Sequence, residues 1–80
     1  MKDIPNMPTL TLGELRRERG LTQIELAAKM DTTQSNTVKM EKRPNPTAET
    51  LQRYIEALGG KMAIVAVFDD RQYAIATSDT

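Results

Sequence analysis

The chain has 80 residues, enough for one small domain with a modest hydrophobic core. Its 11 basic and 11 acidic residues give a formal net charge of +0, so composition alone provides no argument for nucleic-acid binding. The chain has no histidine and no cysteine, and therefore lacks disulfides and the usual acid–base, nucleophilic and soft-metal groups. We expect a protein that is not an enzyme and needs no metal or other cofactor.

The hydropathy pattern contains neither a long apolar run nor a signal peptide. Together with the absence of cysteine, this indicates a soluble protein of the reducing cytoplasm, with no membrane association and no small-molecule ligand.

The chain opens with a predicted loose arm and a first helix. Residues 1–8 contain two prolines and show no periodic pattern. Thr11 and Glu14 have the spacing of a capping box, and Gly20 is placed to end the helix that follows.

Residues 22–41 predict two short helices joined by a tight turn. Thr22 opens the first of them in a second capping box, and Asp31 in the turn tolerates left-handed backbone. Thr33 is placed to cap the second helix, which runs from position 34 to about 42. Three residues at helical spacing form one buried stripe on the first of these helices: Leu26, Ala27 and Met30.

The second of these two helices is expected to turn Thr37 and Met40 inward. Its outer face then carries Gln34, Ser35, Val38 and Lys39, all of them polar or basic except Val38. Such a pair of helices can place the second in a DNA major groove while the first braces it against the phosphate backbone.

A loop with two prolines follows at residues 42–46, and Thr47 is placed to cap a fourth helix that stops at Gly59 and Gly60. Its apolar face is predicted to carry Leu51, Tyr54, Ile55 and Leu58. The periodicity then changes to that of two strands, Lys61 to Phe68 and Gln72 to Thr77, joined by a turn at residues 69–71.

The first strand is apolar on both faces, with Met62, Ile64, Ala66 and Phe68 on one and Ala63, Val65 and Val67 on the other. Helices can cover one face at most, and an isolated hairpin is marginal in water. A second copy of the chain is the simplest cover for the rest. The predicted dimer interface comprises Met62, Ile64, Val65, Val67 and Phe68.

The predicted fold is therefore α+β and mainly α, with four or five helices and a C-terminal hairpin. We expect an arm at 1–8, a helical DNA-binding domain at 9–60, and a dimerisation hairpin with a short tail at 61–80.

Two segments resemble a known family. Residues 12–23, with Glu25, Leu26 and Ala27 after them, resemble the Cro/repressor-type (XRE-like) helix-turn-helix family, which implies a lambda-repressor-like domain. Residues 50–60, running into a strand, look like the antitoxin branch of that family. The resemblance implies a dimeric repressor of its own operon that binds a palindromic operator and neutralises a toxin protein, often a ribosome-dependent RNase or a kinase.

The resemblance also implies roles for individual residues. Gln23 is expected to bond a phosphate and help orient Gln34. The remaining residues of the implied DNA surface are Thr33, Ser35, Asn36, Val38, Lys39, Lys42 and Arg43, with bases read at the front and phosphates met by the cations. Arg16 and Glu41 match a pair that bridges the first and third helices of the family.

The chain departs from the family pattern at several positions. Asp31 and Arg43 stand where glycine is common, and Thr37 and Val38 are swapped, which leaves open which of the two is buried. Two alternatives follow: a stand-alone phage-type or housekeeping regulator without a toxin, and a protein-interaction module that has lost DNA binding.

Overall fold

The computed structural model describes residues 7–76 and contains four helices followed by an antiparallel pair of strands. The elements are α1 (Leu12–Glu18), α2 (Gln23–Lys29), α3 (Gln34–Lys42), α4 (Ala48–Ala57), β1 (Ile64–Val67) and β2 (Gln72–Ile75). This confirms the predicted mainly α fold with a C-terminal hairpin. Most of the expected arm, the tail and Thr77 of the second predicted strand lie outside the described residues.

All four helices begin at a threonine cap, as the spacing predicts. The side chains of Thr11, Thr22, Thr33 and Thr47 each accept a hydrogen bond from the backbone N–H three residues later. In α1 and α2 the glutamate at that position returns the bond, which completes both predicted capping boxes. Each cap contributes about 1 kcal/mol, which matters for helices of only about two to three turns.

The turn between α2 and α3 depends on left-handed backbone at Asp31, whose φ is +54°. Aspartate is one of the few residues other than glycine that adopts this conformation readily, so the predicted role of Asp31 is confirmed. The turn brings α3 across α2.

The helices enclose a small core built from Leu26 and Met30 of α2 and Tyr54 and Leu58 at the end of α4. Leu12, Leu15, Leu21, Met40 and Ala57 pack against it and are partly buried. Ala27 is also buried, as predicted.

Of the two α3 residues Thr37 and Val38, Thr37 is the buried one. Thr37 is fully buried, and Val38 is half-buried. Burial of the Thr37 hydroxyl is possible because it donates to the Thr33 carbonyl oxygen at 3.3 Å.

The hairpin is shorter than predicted. β1 begins at Ile64, directly opposite Ile75 at the end of β2, so the predicted strand residues Lys61, Met62 and Ala63 lie before the paired region. Phe68 also lies just outside β1, where its N–H donates to the Arg71 carbonyl and closes the turn. The predicted strand from Lys61 to Phe68 was therefore too long, and the second strand stops at Ile75, before Ala76, because among residues 7–76 only four residues of each strand pair with the other.

One face of the hairpin is apolar and open to solvent. Strand register places Ile64, Phe68, Tyr73 and Ile75 on this face, which we call the open face. These side chains are 40–59% exposed. The rings of Phe68 and Tyr73 pack edge to face, with centroids 5.9 Å apart.

No helix among residues 7–76 is long and apolar enough to cross a membrane.

Candidate nucleic-acid interface

The outer surface of α3 presents a mixed polar and basic face. Ser35, Lys39 and Lys42 share its centre at helical spacing and are exposed. Gln34 and the half-buried Val38 flank this line on the side of α2, and exposed Asn36 and Arg43 flank it on the other side. Amides and hydroxyls at the front with cations at the back suit reading base edges while holding phosphates.

The side chains at the front of α3 are not equally free. Thr33 Oγ1 accepts from the Asn36 N–H at 3.1 Å, so its oxygen serves the helix cap. The Asn36 amide donates to Thr32 Oγ1 at 3.0 Å, which holds it toward the preceding turn. Gln34 and Ser35 therefore form the leading edge of the surface.

Behind this surface, one carboxylate connects all four helices. Glu41 in the last turn of α3 accepts from Arg16 Nε of α1 at 2.8 Å, with the two side chains only 8% and 11% exposed. It also accepts from Gln23 Nε2 of α2 at 3.2 Å and from the Tyr54 hydroxyl of α4 at 2.6 Å. The Arg16 guanidinium also donates to the Leu21 carbonyl at 2.9 Å, so the α1–α2 loop is fixed to the same centre.

Burial and the hydrogen bonds around Glu41 shift the pKa values of both Glu41 and Tyr54. Burial favours the neutral carboxyl, but the bonds from Arg16, Tyr54 and Gln23 outweigh burial and hold the pKa of Glu41 below its ordinary value. Burial, and then the bond to the Glu41 carboxylate, raise the pKa of Tyr54 well above its ordinary value. At neutral pH this centre therefore holds a carboxylate, a guanidinium and a neutral phenol.

Hydrogen bonds lead outward from this centre to the front of α3. A carboxylate can only accept, so Gln23 must turn its NH2 group inward and its oxygen outward. That oxygen accepts from Gln34 Nε2 across 3.5 Å. The structure thus brings together Arg16, Glu41, Gln23 and Gln34, while Lys39, Lys42 and Arg43 remain outside this network.

A groove of about 480 Å³ lies beside Gln34, between the end of α1 and the start of α2. Its walls include Arg17 and Gln23. The exposed Ile24 also lines it. A groove with a cation and an amide next to the leading edge of α3 suits a strand of phosphate backbone.

The sequence does not predict the roles of two residues of this site. It places Tyr54 only on the apolar face of the fourth helix, although a buried tyrosine normally needs a partner for its hydroxyl. Gly13 fills the second position of α1, where glycine weakens a helix. The structure shows why: a Cβ at Gly13 would lie 3.1 Å from Glu41 Oε1.

Two helices joined by a tight turn, the second exposed and polar, define a helix-turn-helix protein. Residues 12–65 match the model of the helix-turn-helix family HTH_3, and the chain belongs to this XRE-type family.

Named relatives point to one branch of the family. The chain is 34% identical over 67 residues to the putative antitoxin HigA2 of Mycobacterium tuberculosis. That match covers 81% of this chain and 66% of the relative, just under two thirds of its length.

Two solved structures are similar over most of this chain. One is described as "DNA bound antitoxin HigA3", with a TM-score of 0.77, 30% identity, and coverage of 92% of this chain and 99% of that chain. The other is described as "Induced DNA bending by unique dimerization of HigA antitoxin", with a TM-score of 0.78, 31% identity, and coverage of 89% and 97%.

Proposed function

We propose that this chain is a sequence-specific repressor that binds a palindromic operator as a homodimer and serves as the antitoxin of a toxin–antitoxin module. The observation that carries the proposal is the exposed face of α3, whose leading residue Gln34 is linked through Gln23 to Glu41. The likeness to structures described as DNA-bound and dimerising HigA antitoxins supports the same function. In the cell, the bound protein is expected on the nucleoid.

Within this proposal, α3 enters the major groove and Gln34 reads a base. The glutamine amide accepts and donates side by side, which matches the N6 and N7 edge of adenine. Ser35 and Asn36 meet neighbouring base edges, and the methyl groups of Val38 can contact a thymine methyl. Thr33 has only its hydroxyl proton left for a phosphate, since its oxygen caps α3.

The phosphate contacts are assigned to the cations and to Gln23. Lys39 and Lys42 lie on the exposed face of α3, and Arg43 follows directly after it. These charges supply affinity that does not depend on base sequence.

Dimerisation is assigned to the hairpin. A second copy can cover the open face, whose four large apolar side chains would otherwise remain in water. Of the predicted interface residues, Ile64 and Phe68 lie on the open face, and the strand register adds Tyr73 and Ile75 to them. Val65 and Val67 lie on the opposite face of the hairpin, and Met62 lies before the paired region. A two-fold axis through this contact requires the two copies of α3 to meet half-sites about 34 Å apart, or a multiple of that distance.

The repressor role is tested by titrating the protein against duplex DNA from upstream of its own gene, with a scrambled duplex of equal composition as control. We expect binding to the native duplex to be on the order of 1000-fold tighter at physiological salt. Equal affinity for the two duplexes would contradict sequence-specific binding, and no binding to either would favour an interaction module that has lost DNA binding.

The antitoxin role is tested separately by co-expressing this chain with the product of the neighbouring reading frame. We expect that product to stop growth alone and to form a stable complex with this chain that restores growth. A neighbour that is harmless alone would instead identify a stand-alone regulator.

A further inference from the structure

We propose that Tyr54 of α4 is a positioning residue for base reading, acting through Glu41 and Gln23 on Gln34. This inference rests on the proposed function, and it assigns a role in DNA recognition to a side chain buried in the core.

The first step is the contact between Tyr54 and Glu41. The Tyr54 hydroxyl lies 2.6 Å from Glu41 Oε2 and 3.0 Å from the Leu12 carbonyl oxygen. Its single proton goes to the carboxylate, because a charged acceptor forms the shorter and stronger bond. Tyr54 is fully buried and fixed by core packing, so it offers Glu41 a rigid donor.

The second step is the division of the two carboxylate oxygens. Oε2 takes the short bonds from Arg16 Nε and Tyr54, whereas Oε1 takes longer ones from Gln23 at 3.2 Å and from Arg16 Nη2 at 3.5 Å. The two donors on Oε2 fix the plane of the carboxylate and therefore the direction in which Oε1 points. Without Tyr54, Oε2 keeps only the Arg16 Nε bond, and the long Arg16 Nη2 contact on Oε1 restrains rotation of the carboxylate less than the 2.6 Å bond from Tyr54 does.

The third step is the space that lets Oε1 point toward Gln23. Glu41 Oε1 lies 3.1 Å from the position that a Cβ on Gly13 would occupy. A methyl group there must push this oxygen aside by a few tenths of an ångström, away from its present position. The missing side chain of Gly13 is therefore part of the same arrangement.

The last step is the orientation of the two amides. Because Glu41 can only accept, it sets the direction of the Gln23 amide, and the Gln23 oxygen in turn attracts the NH2 group of Gln34 across 3.5 Å. The oxygen of Gln34 is then free to accept from a base. An undirected Gln34 amide can present either end and discriminates less between bases.

The test uses full-length Tyr54→Phe, which keeps the ring and removes only the hydroxyl. Thr50→Val, which likewise removes one hydroxyl from α4, is the matched control because the Thr50 hydroxyl lies against the Thr47 cap and not against Glu41. The DNA probe is the duplex that the wild-type protein selects from a randomised pool, together with duplexes changed at each single base pair. The base pair read by Gln34 is the one at which Gln34→Ala loses discrimination.

We expect Tyr54→Phe to reduce discrimination at that base pair by about threefold to tenfold, the effect of one lost hydrogen bond. Discrimination at other positions and affinity for random duplex should stay within about twofold of wild type, and Thr50→Val should match wild type. In the Gln34→Ala background, Tyr54→Phe should have no further effect on discrimination. A uniform loss across all sequences, unchanged discrimination, or an additive effect in that background would overturn the inference.

Two further measurements keep the inference testable if Tyr54→Phe folds poorly or if the proposed function is wrong. Gly13→Ala moves the other oxygen of the same carboxylate and should also lose discrimination at the Gln34 base pair, although alanine favours the helix. In the free protein, both variants should shift the side-chain NH2 resonances of Gln23 and Gln34 and leave those of Gln52 in place. If these resonances respond but the wild-type protein selects no DNA sequence, the proposed function fails while the hydrogen-bond connection stands. If the wild-type protein selects a sequence and the Gln23 and Gln34 resonances do not respond, the inference fails alone.

Discussion

Arg16 Nε donates to Glu41 Oε2 across 2.8 Å, and this buried ion pair joins the first helix to the last turn of the third. The two residues are 25 positions apart in sequence. Their contact holds the last turn of α3 against α1. It also supplies the negative oxygen toward which Gln23 orients. One ion pair thus serves both the stability of the domain and the presentation of its exposed face.

Replacing Glu41 with glutamine should destabilise the fold by about 3 kcal/mol, because the nearly buried Arg16 loses its charged partner. The measurement is urea unfolding at neutral pH. Glu18→Gln, an exposed glutamate at the end of α1, is the matched control and should change stability by less than about 0.5 kcal/mol. Equal stability of the two variants would show that the ion pair adds nothing to the fold.

The same variant should change the pH dependence of stability. The folded-state pKa of Glu41 is below the ordinary 4.5, so its contribution is present above pH 4.5 and is lost as pH falls through the folded value. The free energy of unfolding of Glu41→Gln should therefore decrease less steeply than that of the wild-type protein as the pH falls below 4.5. Some dependence should remain, because backbone hydrogen bonds also lower the pKa of the capping carboxylates Glu14 and Glu25.

Replacing Asp31 with glycine should stabilise the protein by up to about 1 kcal/mol, because glycine adopts positive φ without the steric cost of a Cβ. The φ of Asp31 is +54°. Thermal unfolding should show a higher Tm for Asp31→Gly and a lower Tm for Asp31→Ala. Alanine has a Cβ and adopts left-handed backbone less readily than aspartate. A lower Tm for the glycine variant would mean that the aspartate side chain stabilises the turn.

Replacing Ile75 with glutamate should weaken the dimer at least about tenfold, because a charge then lies on the open face. Gln72→Glu adds the same charge to the other face of β2 and is the control. Sedimentation velocity should show the shift to monomer, with helical content unchanged by circular dichroism. If Ile75→Glu sediments as the same dimer as Gln72→Glu, the open face is not the contact between copies.

The local features of this fold follow from short sequence patterns, and the tertiary features do not. The threonine caps and the turn at Asp31 depend on residues within three or four positions of each other, so spacing alone predicts them. Thr37 rather than Val38 is buried because the Thr37 hydroxyl can donate to the Thr33 carbonyl oxygen. Since the two side chains have similar size and shape, the sequence does not predict which of them is buried. The bond between Tyr54 and Glu41 joins two different helices, so no periodicity indicates it.

The candidate site divides in the same way. The exposed face of α3 follows from helical spacing, and the sequence therefore predicts Gln34, Ser35 and Lys39 together. The pairing of Arg16 with Glu41 came from the family resemblance, because nothing in the local pattern connects them. The role of Gly13 emerges only when the position of the Glu41 carboxylate is known.

Replacing Lys39 or Lys42 with alanine should weaken binding to all duplex sequences alike. The slope of log affinity against log salt should become shallower by about two for a dimer that loses one phosphate contact per copy. Lys29→Ala, beside Met30 and Arg53 at the far end of α2, is the control and should keep the wild-type slope. A sequence-dependent loss would assign these lysines to base edges.

Whether Gln34 at the front of α3 reads a base of the operator is decided by the binding of Gln34→Ala to the selected operator and to all its single-base-pair variants. We expect a loss of about 1–3 kcal/mol on the selected operator and a relaxed preference at one symmetric pair of positions only. If Gln34→Ala binds the operator as tightly and as selectively as the wild-type protein, Gln34 does not read a base.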